Sequence, residues 1–213
     1  MPEFAELLKG YHRFRRESYS AQRERYEKLT VHGQSPKLMI IGCSDSRVDP
    51  AQIFDVDPGE IFVVRNVAAL VPPFETTPGL HGVSAAVEFA VNVLKVRQIV
   101  VMGHGMCGGC QAALTQDLQG AAMGEGGFIA NWIAILDDAR GPVAERYGTH
   151  GREAERAMEL AAVRVSLKNL QSFPNVRRSM EASALQLRGA FFAISDGVLH
   201  VLDAATDSFI PEG

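Results

Sequence analysis

Two short stretches hold most of the residues in this chain that could do chemistry. IVVMGHGMCGGC at 99–110 sets His104 three residues before Cys107, places Cys110 three further on, and surrounds them with glycines. CSDSR at 43–47 puts a thiol, a carboxylate and a guanidinium at alternate positions, Cys43, Asp45 and Arg47. Three chemistries fit the first stretch. Gly103, Gly105 and Gly108 match the GxGxxG loop that cradles a pyrophosphate, but that loop should open the first βαβ unit and be followed about 20 residues on by an acidic residue ending a second strand. Here it follows the third apolar run, and Glu125 lies in the glycine-rich segment MGEGG. Cys107 and Cys110 match a redox CxxC at a helix start, yet the one tryptophan, Trp132, lies downstream and His104-Gly105-Met106 precedes the first thiol. The third chemistry is metal binding, in which His104 and Cys107 give two donors and Cys43 a third. Two thiolates and an imidazole suit Zn2+ and leave a fourth position open, the pattern of a catalytic site. Asp45 and Arg47 could form an ordinary surface ion pair, worth ~0–1 kcal/mol; their place beside a ligating thiol gives them a larger role.

Such a site needs Cys43 and the His104–Cys107 turn at neighbouring strand ends, and the surrounding sequence supplies the strands. KLMIIG (37–42), IFVVRN (61–66) and QIVVMG (98–103) are apolar runs of strand length, as buried parallel strands require. GVSAAVEFAVNVLKV (82–96) carries Val83, Ala86, Val87, Ala90, Val91 and Leu94 on one helical face, the crossover helix of a βαβ unit. In an open α/β sheet, ligands bind in the crevice beyond the C-terminal strand ends. A helix is predicted from QAALTQDLQGA, and a long one over 151–173 stopped by Pro174. AFFAISDGVLHVLD (190–203) has Asp196-Gly197 between two apolar runs and reads as a hairpin adding a last edge pair. Residues 2–29 space Phe4, Leu7, Leu8, Tyr11 and Phe14 helically among arginines and glutamates, so an amphipathic arm should lie on another surface, with a partner subunit as one such surface.

The chain has 213 residues, 46% of them hydrophobic and 22% charged, which is enough for one full core. We expect a single domain over 1–213, with a helical arm at 1–32 and an α/β core at 33–213. A formal net charge of −4 gives no electrostatic footprint for nucleic acid, and Arg177-Arg178 reads as a solvated helix face. No segment reaches the ~18 uninterrupted apolar residues of a membrane span, and the N-terminus lacks a secretory apolar region. A cytoplasmic protein with no membrane partner is expected. Three cysteines beside Gly and His suit ligands or catalytic groups in a reducing compartment.

With CSDSR at 43–47 and GHGMCGG at 103–109, the chain closely resembles the β-class carbonic anhydrases. Similarity runs through GQSPKLMIIG, DPGEIFVVRNVAALVPP and GVSAAVEFAVNVLKVRQIVVMGHGMCGG, densely over about residues 33–115 and more weakly in the terminal hairpin. The resemblance implies an α/β fold with a mainly parallel central sheet and flanking helices, one Zn2+ per chain, and homodimers or higher even-numbered homo-oligomers. It implies the zinc-dependent lyase reaction in which zinc-bound hydroxide converts CO2 to bicarbonate and a proton. Cys43, His104 and Cys107 would bind the zinc, and Asp45 with Arg47 would form the catalytic dyad that orients the nucleophile. Asp45 could also become the fourth metal ligand at lower pH if Arg47 released it. Gln34, Phe62 and Val67 match positions bordering the substrate, with Gln34 able to serve a neighbouring chain, and the Gly108 amide, near the start of a helix, is expected to donate with Gln34 to bicarbonate oxygens. Phe89 stands where the family often has Tyr, so a hydroxyl is missing there. Ile40 and Phe192 replace the Trp and Tyr that bind an inhibitory bicarbonate in another branch, so no such regulatory site is expected. Cys110 lies outside the ligand pattern and is read as packing. His12, His32, His81, His150 and His200 read as solvated or structural, with His81 the nearest in sequence to the apolar cleft. Because two thiolates cancel the formal charge of zinc, the site should acidify water less than a three-histidine site and work best in the alkaline range. Hydrolysis of carbonyl sulfide or carbon disulfide on the same scaffold is the first alternative, separable by comparative turnover. A non-catalytic zinc-binding protein is the second, and the dyad argues against it.

Overall fold

A computed structural model describes residues 3–212 of the chain. Three helices lead: α1 (Phe4–Arg16), α2 (Ser18–Ala21) and α3 (Arg23–His32). The core follows as β1 (Leu38–Cys43), α4 (Pro50–Ile53), β2 (Ile61–Asn66) and α5 (Gly82–Glu88), which widens into a π-helical turn at Phe89–Leu94 before β3 (Gln98–His104). Then come α6 (Gly108–Thr115), α7 (Gly127–Ile133), α8 (Asp137–Tyr147), α9 (Arg152–Leu170) and α10 (Pro174–Glu181), and last β4 (Gln186–Ala193), β5 (Val198–Asp203) and β6 (Ser208–Glu212).

The strands form one sheet in the order β2-β1-β3-β4-β5-β6. The first four are parallel and the last two antiparallel. Apolar side chains on both faces of β1 and β3 explain the parallel centre. Met39, Ile41, Ile99 and Val101 point one way, into a core closed by Val87, Val91, Val163, Leu170 and Val176 from the helices. Full burial of such a side chain is worth about 1.5–3 kcal/mol. Ile40, Met102 and Ala190 point the other way, under a thinner cover that includes Ile53 and Phe54. That thin cover leaves an apolar groove of about 400 Å3 lined by Leu38, Ile40, Val100 and Leu199, among others.

Several sequence expectations change in detail. Cys43 ends β1 as expected, while His104 lies inside β3 as its last residue, one beyond the predicted run. Residues 82–96 are helical as predicted, but the last turn is π and ends on Lys95 at φ 56°. The helix expected from Gln111 begins at Gly108, because Cys107 in extended geometry caps it, and it ends before Gln116 at φ 59°. Pro174 does more than stop α9: it is the first residue of α10, where its missing N–H costs nothing. The hairpin at Asp196-Gly197 forms, with Gly197 at φ 75°. It is not the edge pair expected, because β4 also joins β3 and β6 continues the sheet beyond β5. SFIPE hid β6 in the sequence, since a proline is tolerated only on an edge strand such as this one.

In the arm, Pro2 of the predicted stretch lies outside the described residues. The helix breaks twice, giving α1, α2 and α3 in place of one or two helices. α3 is tied to the core: Gln22 donates to Asp57 at 2.6 Å and Arg25 pairs with Asp57 at 3.0 Å. By contrast, α1 buries none of its residues, and Phe4, Leu7, Leu8, Tyr11 and Phe14 are exposed.

Candidate metal centre

β1 and β3 are adjacent and parallel with Gly42 opposite Met102, so both strands end on the same side of the sheet. Cys43 closes β1 and His104 closes β3. After His104 the chain reverses through Met106 at φ 56°, a left-handed conformation uncommon outside glycine, and delivers Cys107 to the start of α6. The Cys43 Sγ, a ring nitrogen of His104 and the Cys107 Sγ all lie within 4.8 Å of one another. All three residues are buried.

The donor chemistry fits a soft dication. His104 Nδ1 hydrogen-bonds the Gly105 carbonyl at 2.9 Å, which fixes the proton on that nitrogen and leaves the Nε2 lone pair free. His104 Nε2 is buried and has no hydrogen-bond partner among the described residues. Hydrogen bonding to Cys107, then burial, pushes the Cys43 thiol up to about 12. Contact with Cys110 and burial push Cys107 up to about 12, against a lowering by Cys43. Two thiols crowded in this way resist ionising side by side without a cation; a metal reverses the balance by deprotonating its thiol ligands outright. Donors at zinc–sulfur and zinc–nitrogen bond lengths of about 2.3 and 2.0 Å in a tetrahedron are about 3.5–3.8 Å apart, so a small adjustment closes the set.

Beside this cluster Asp45 and Arg47 form a paired contact. Arg47 Nε donates to Asp45 Oδ1 at 2.9 Å and Nη2 to Oδ2 at 2.7 Å. The Arg47 backbone N–H also donates to Oδ1 at 2.9 Å, and Nη2 reaches the Met106 carbonyl at 3.0 Å. The guanidinium holds the Asp45 carboxyl well below the usual carboxylate range despite some desolvation. Asp45 Oδ2 stands 4.0 Å from His104 Nε2.

The family can now be identified. Residues 38–199 match the family model described as carbonic anhydrase. A carbonic anhydrase of Pseudomonas aeruginosa is 36% identical over 207 residues, covering 96% of this chain and 90% of the relative. The solved structure of the β-carbonic anhydrase CcaA superimposes with a TM-score of 0.90 at 30% identity, over 98% of this chain and 99% of that one. Two tetrameric β-carbonic anhydrases of Sordaria macrospora are the subject of another structural match, at a TM-score of 0.83 and 30% identity, covering 94% and 97%.

This chain belongs to the carbonic anhydrase family.

As a carbonic anhydrase of the β class it brings together five of the residues singled out by sequence, Cys43, Asp45, Arg47, His104 and Cys107. Two more lie next to them. Gly108 is the first residue of α6, with open space where a Cβ would stand. Val67 follows β2, and its carbonyl accepts from Trp132 Nε1 at 2.8 Å. Gln34 and Phe62 lie elsewhere. Gln34 is exposed ahead of β1, and Phe62 pairs with Met39 near the start of β2, against the Phe89 ring at 5.8 Å. At ~3.3 Å per strand residue, Met39 and Phe62 sit about 13 Å from the Cys43 end of the sheet. Ile40 is buried on the face of β1 opposite Met39 and Ile41. Phe192 pairs with His104 in the sheet.

Three supporting residues were not anticipated. Arg65, embedded in the apolar run of β2, donates to the Cys43 carbonyl at 2.8 Å, the Asp45 carbonyl at 2.7 Å and Asp49 Oδ2 at 2.9 Å. An arginine inside IFVVRN was the available signal. Asn66 brackets the next turn by donating to the Leu70 carbonyl and accepting from its N–H. That turn holds Ala68 and Ala69 at φ 64° and 55°. It lies so close to α6 that a Cβ on Gly109 would come 2.7 Å from Val67 Cγ1. Glu159 of α9, whose Oε1 accepts from the Cys107 N–H at 3.2 Å, gave no sequence signal beyond its helical position.

Proposed function

We propose that Cys43, His104 and Cys107 hold one zinc ion per chain, and that the Asp45–Arg47 pair orients the attacking oxygen in reversible hydration of CO2 to bicarbonate. The observation that carries this reading is the convergence of three buried donors on one point, with His104 Nε2 left without a hydrogen-bond partner among the described residues. A zinc ion bound there supplies a Lewis acid that lowers the pKa of water towards neutrality. Asp45 Oδ2, 4.0 Å from His104 Nε2 on the cluster side of the carboxylate, is placed to accept a hydrogen from a water held beside the cluster and would so orient its oxygen towards CO2. Arg47 keeps the carboxylate in that orientation through its two parallel bonds, and keeps it ionised. Released by Arg47, the Asp45 carboxylate would be near enough to the three donors to join them in holding the metal. Val67 forms an apolar wall, and the Gly108 N–H at the start of α6 is free to donate to a bicarbonate oxygen.

Gln34 and Phe62 border substrate only if a second copy supplies them, because their own chain holds them at the other end of the strands. The exposed apolar face of α1 and the open groove on the sheet give a second copy surfaces to cover, and we read the assembly as an even-numbered homo-oligomer. We read residues 1–32 as an arm on a single domain spanning the rest of the chain. Three free cysteines suit a reducing cytoplasm, and among the described residues no helix is long and apolar enough to cross a membrane. Metal analysis of the purified protein tests the ligand set: one zinc per chain in the wild type and none in Cys43→Ala is expected, and full zinc in Cys43→Ala refutes it.

A further inference from the structure

Glu159 lies on the inward face of α9, whose neighbouring positions are Met158, Ala162 and Val163, and it is only 2% exposed. A carboxyl in such surroundings is costly unless it is hydrogen-bonded. No arginine pairs with it within salt-bridge distance: Arg152 pairs with Glu155 at 2.6 Å, and Arg156 stacks over the Phe191 ring at 3.5 Å. Its bond goes instead to the main chain of the metal loop, from the Cys107 N–H to Oε1 at 3.2 Å. Oε2 is buried without a hydrogen-bond partner among the described residues.

The segment it touches is under tension. Met106 is held at φ 56°, and Cys107 is still extended before α6 begins. One turn along α9, Val163 packs against the other end of the same segment and leaves room only for glycine, since a Cβ on Gly103 would come 2.7 Å from Val163 Cγ2. One face of α9 therefore grips both ends of the turn that carries His104 and Cys107.

We infer that Glu159 is a positioning residue for the metal centre: by accepting the Cys107 N–H it holds the His104–Cys107 turn in its left-handed form and so fixes the direction of the Cys107 sulfur. The inference rests on the zinc reading given above. It assigns the work to a hydrogen-bond acceptor at Oε1, not to the negative charge.

The test compares zinc-loaded wild type, Glu159→Gln, which keeps an acceptor oxygen, and Glu159→Met, which fills similar space without one. Zinc release to a chromogenic chelator should be about 10- to 100-fold faster from Glu159→Met and close to wild type from Glu159→Gln. Cobalt-substituted samples give an independent readout: Glu159→Gln should keep the wild-type ligand-field spectrum and Glu159→Met should shift it. A general loss of core stability would lower the melting temperature without changing that spectrum. Wild-type release and spectrum from Glu159→Met overturn the inference, as does Glu159→Gln releasing zinc as fast as Glu159→Met. If Glu159→Met does not fold by circular dichroism, faster release from Glu159→Gln than from wild type is still sufficient to refute it, and release at the wild-type rate supports it. A wild-type protein that takes up no zinc overturns the metal reading itself, which the same control reveals.

Discussion

Arg65→Met removes a guanidinium that ties three points of the CSDSR loop to β2 while keeping an apolar stem of similar length. Two of its bonds go to the main-chain carbonyls of Cys43 and Asp45 at 2.8 and 2.7 Å; the third is the Asp49 pair at 2.9 Å. Hydrogen bonds from a charged donor contribute about 1.5–3 kcal/mol each. The Asp49 pair, with both side chains partly exposed, adds no more than about 1 kcal/mol. Water can reach part of the site, so the lower end of the range applies and a loss of about 3 kcal/mol is expected. Urea unfolding of the metal-free protein at fixed concentration measures it, read as a shift in midpoint at unchanged slope. Activity should fall more steeply than stability predicts, because the loop that loses its anchor carries both Cys43 and Asp45, and a misplacement of about 1 Å can cost about 10²-fold in rate. Arg65→Lys keeps the charge but reaches only one partner, so it should recover a minor share of both losses. A loss below about 1 kcal/mol with wild-type kcat/KM, or complete rescue by lysine, would refute the reasoning.

Asp45→Ala should retain one zinc per chain and lower kcat/KM by about 10²-fold or more; metal analysis and stopped-flow rates on one sample check it, and wild-type turnover removes Asp45 from the mechanism. Because Arg47 lowers the folded-state pKa of Asp45 below its unfolded value near 3.9, the ionised pair is fully in place above that value and is lost only as pH falls through the lowered one. The Asp45 carboxyl carbon should therefore keep its ionised NMR shift from about pH 9 down to about pH 5, and protonation inside that window contradicts the assignment. Cys110→Ser should keep one zinc per chain, since Cys110 touches Cys107 from outside the donor set; metal loss would make it a ligand. Leu7→Glu with Tyr11→Glu places charge on the exposed face of α1, and light scattering should show a smaller assembly than wild type; an unchanged mass means the arm covers no partner.

The cluster of Cys43, His104 and Cys107 was legible because each belongs to a compact motif, and because β1 and β3 announce themselves as apolar runs whose parallel pairing sets both motifs at one end of the sheet. The dyad was legible for the same reason, since Asp45 and Arg47 lie within two residues of each other. What the sequence hid is support that arrives from a distance. Arg65 reaches the loop across the pairing of β2 with β1, and Glu159 arrives from a helix 52 positions beyond Cys107. Neither is adjacent to the motif it steadies, so spacing carries no trace of it. The start of α6 was missed because Gly108 and Gly109 are poor helix formers; the close approach of Val67 and Ala68 demands glycine at 109 and overrides propensity. β6 was missed because edge pairing depends on β5 being there to receive it.

The most direct test of the account is stopped-flow CO2 hydration followed across pH, with zinc stoichiometry measured on the same sample. The account predicts one zinc per chain and a kcat/KM that rises into the alkaline range. Zinc-free protein at full activity, or zinc-loaded protein that does not hydrate CO2 at any pH, would contradict it.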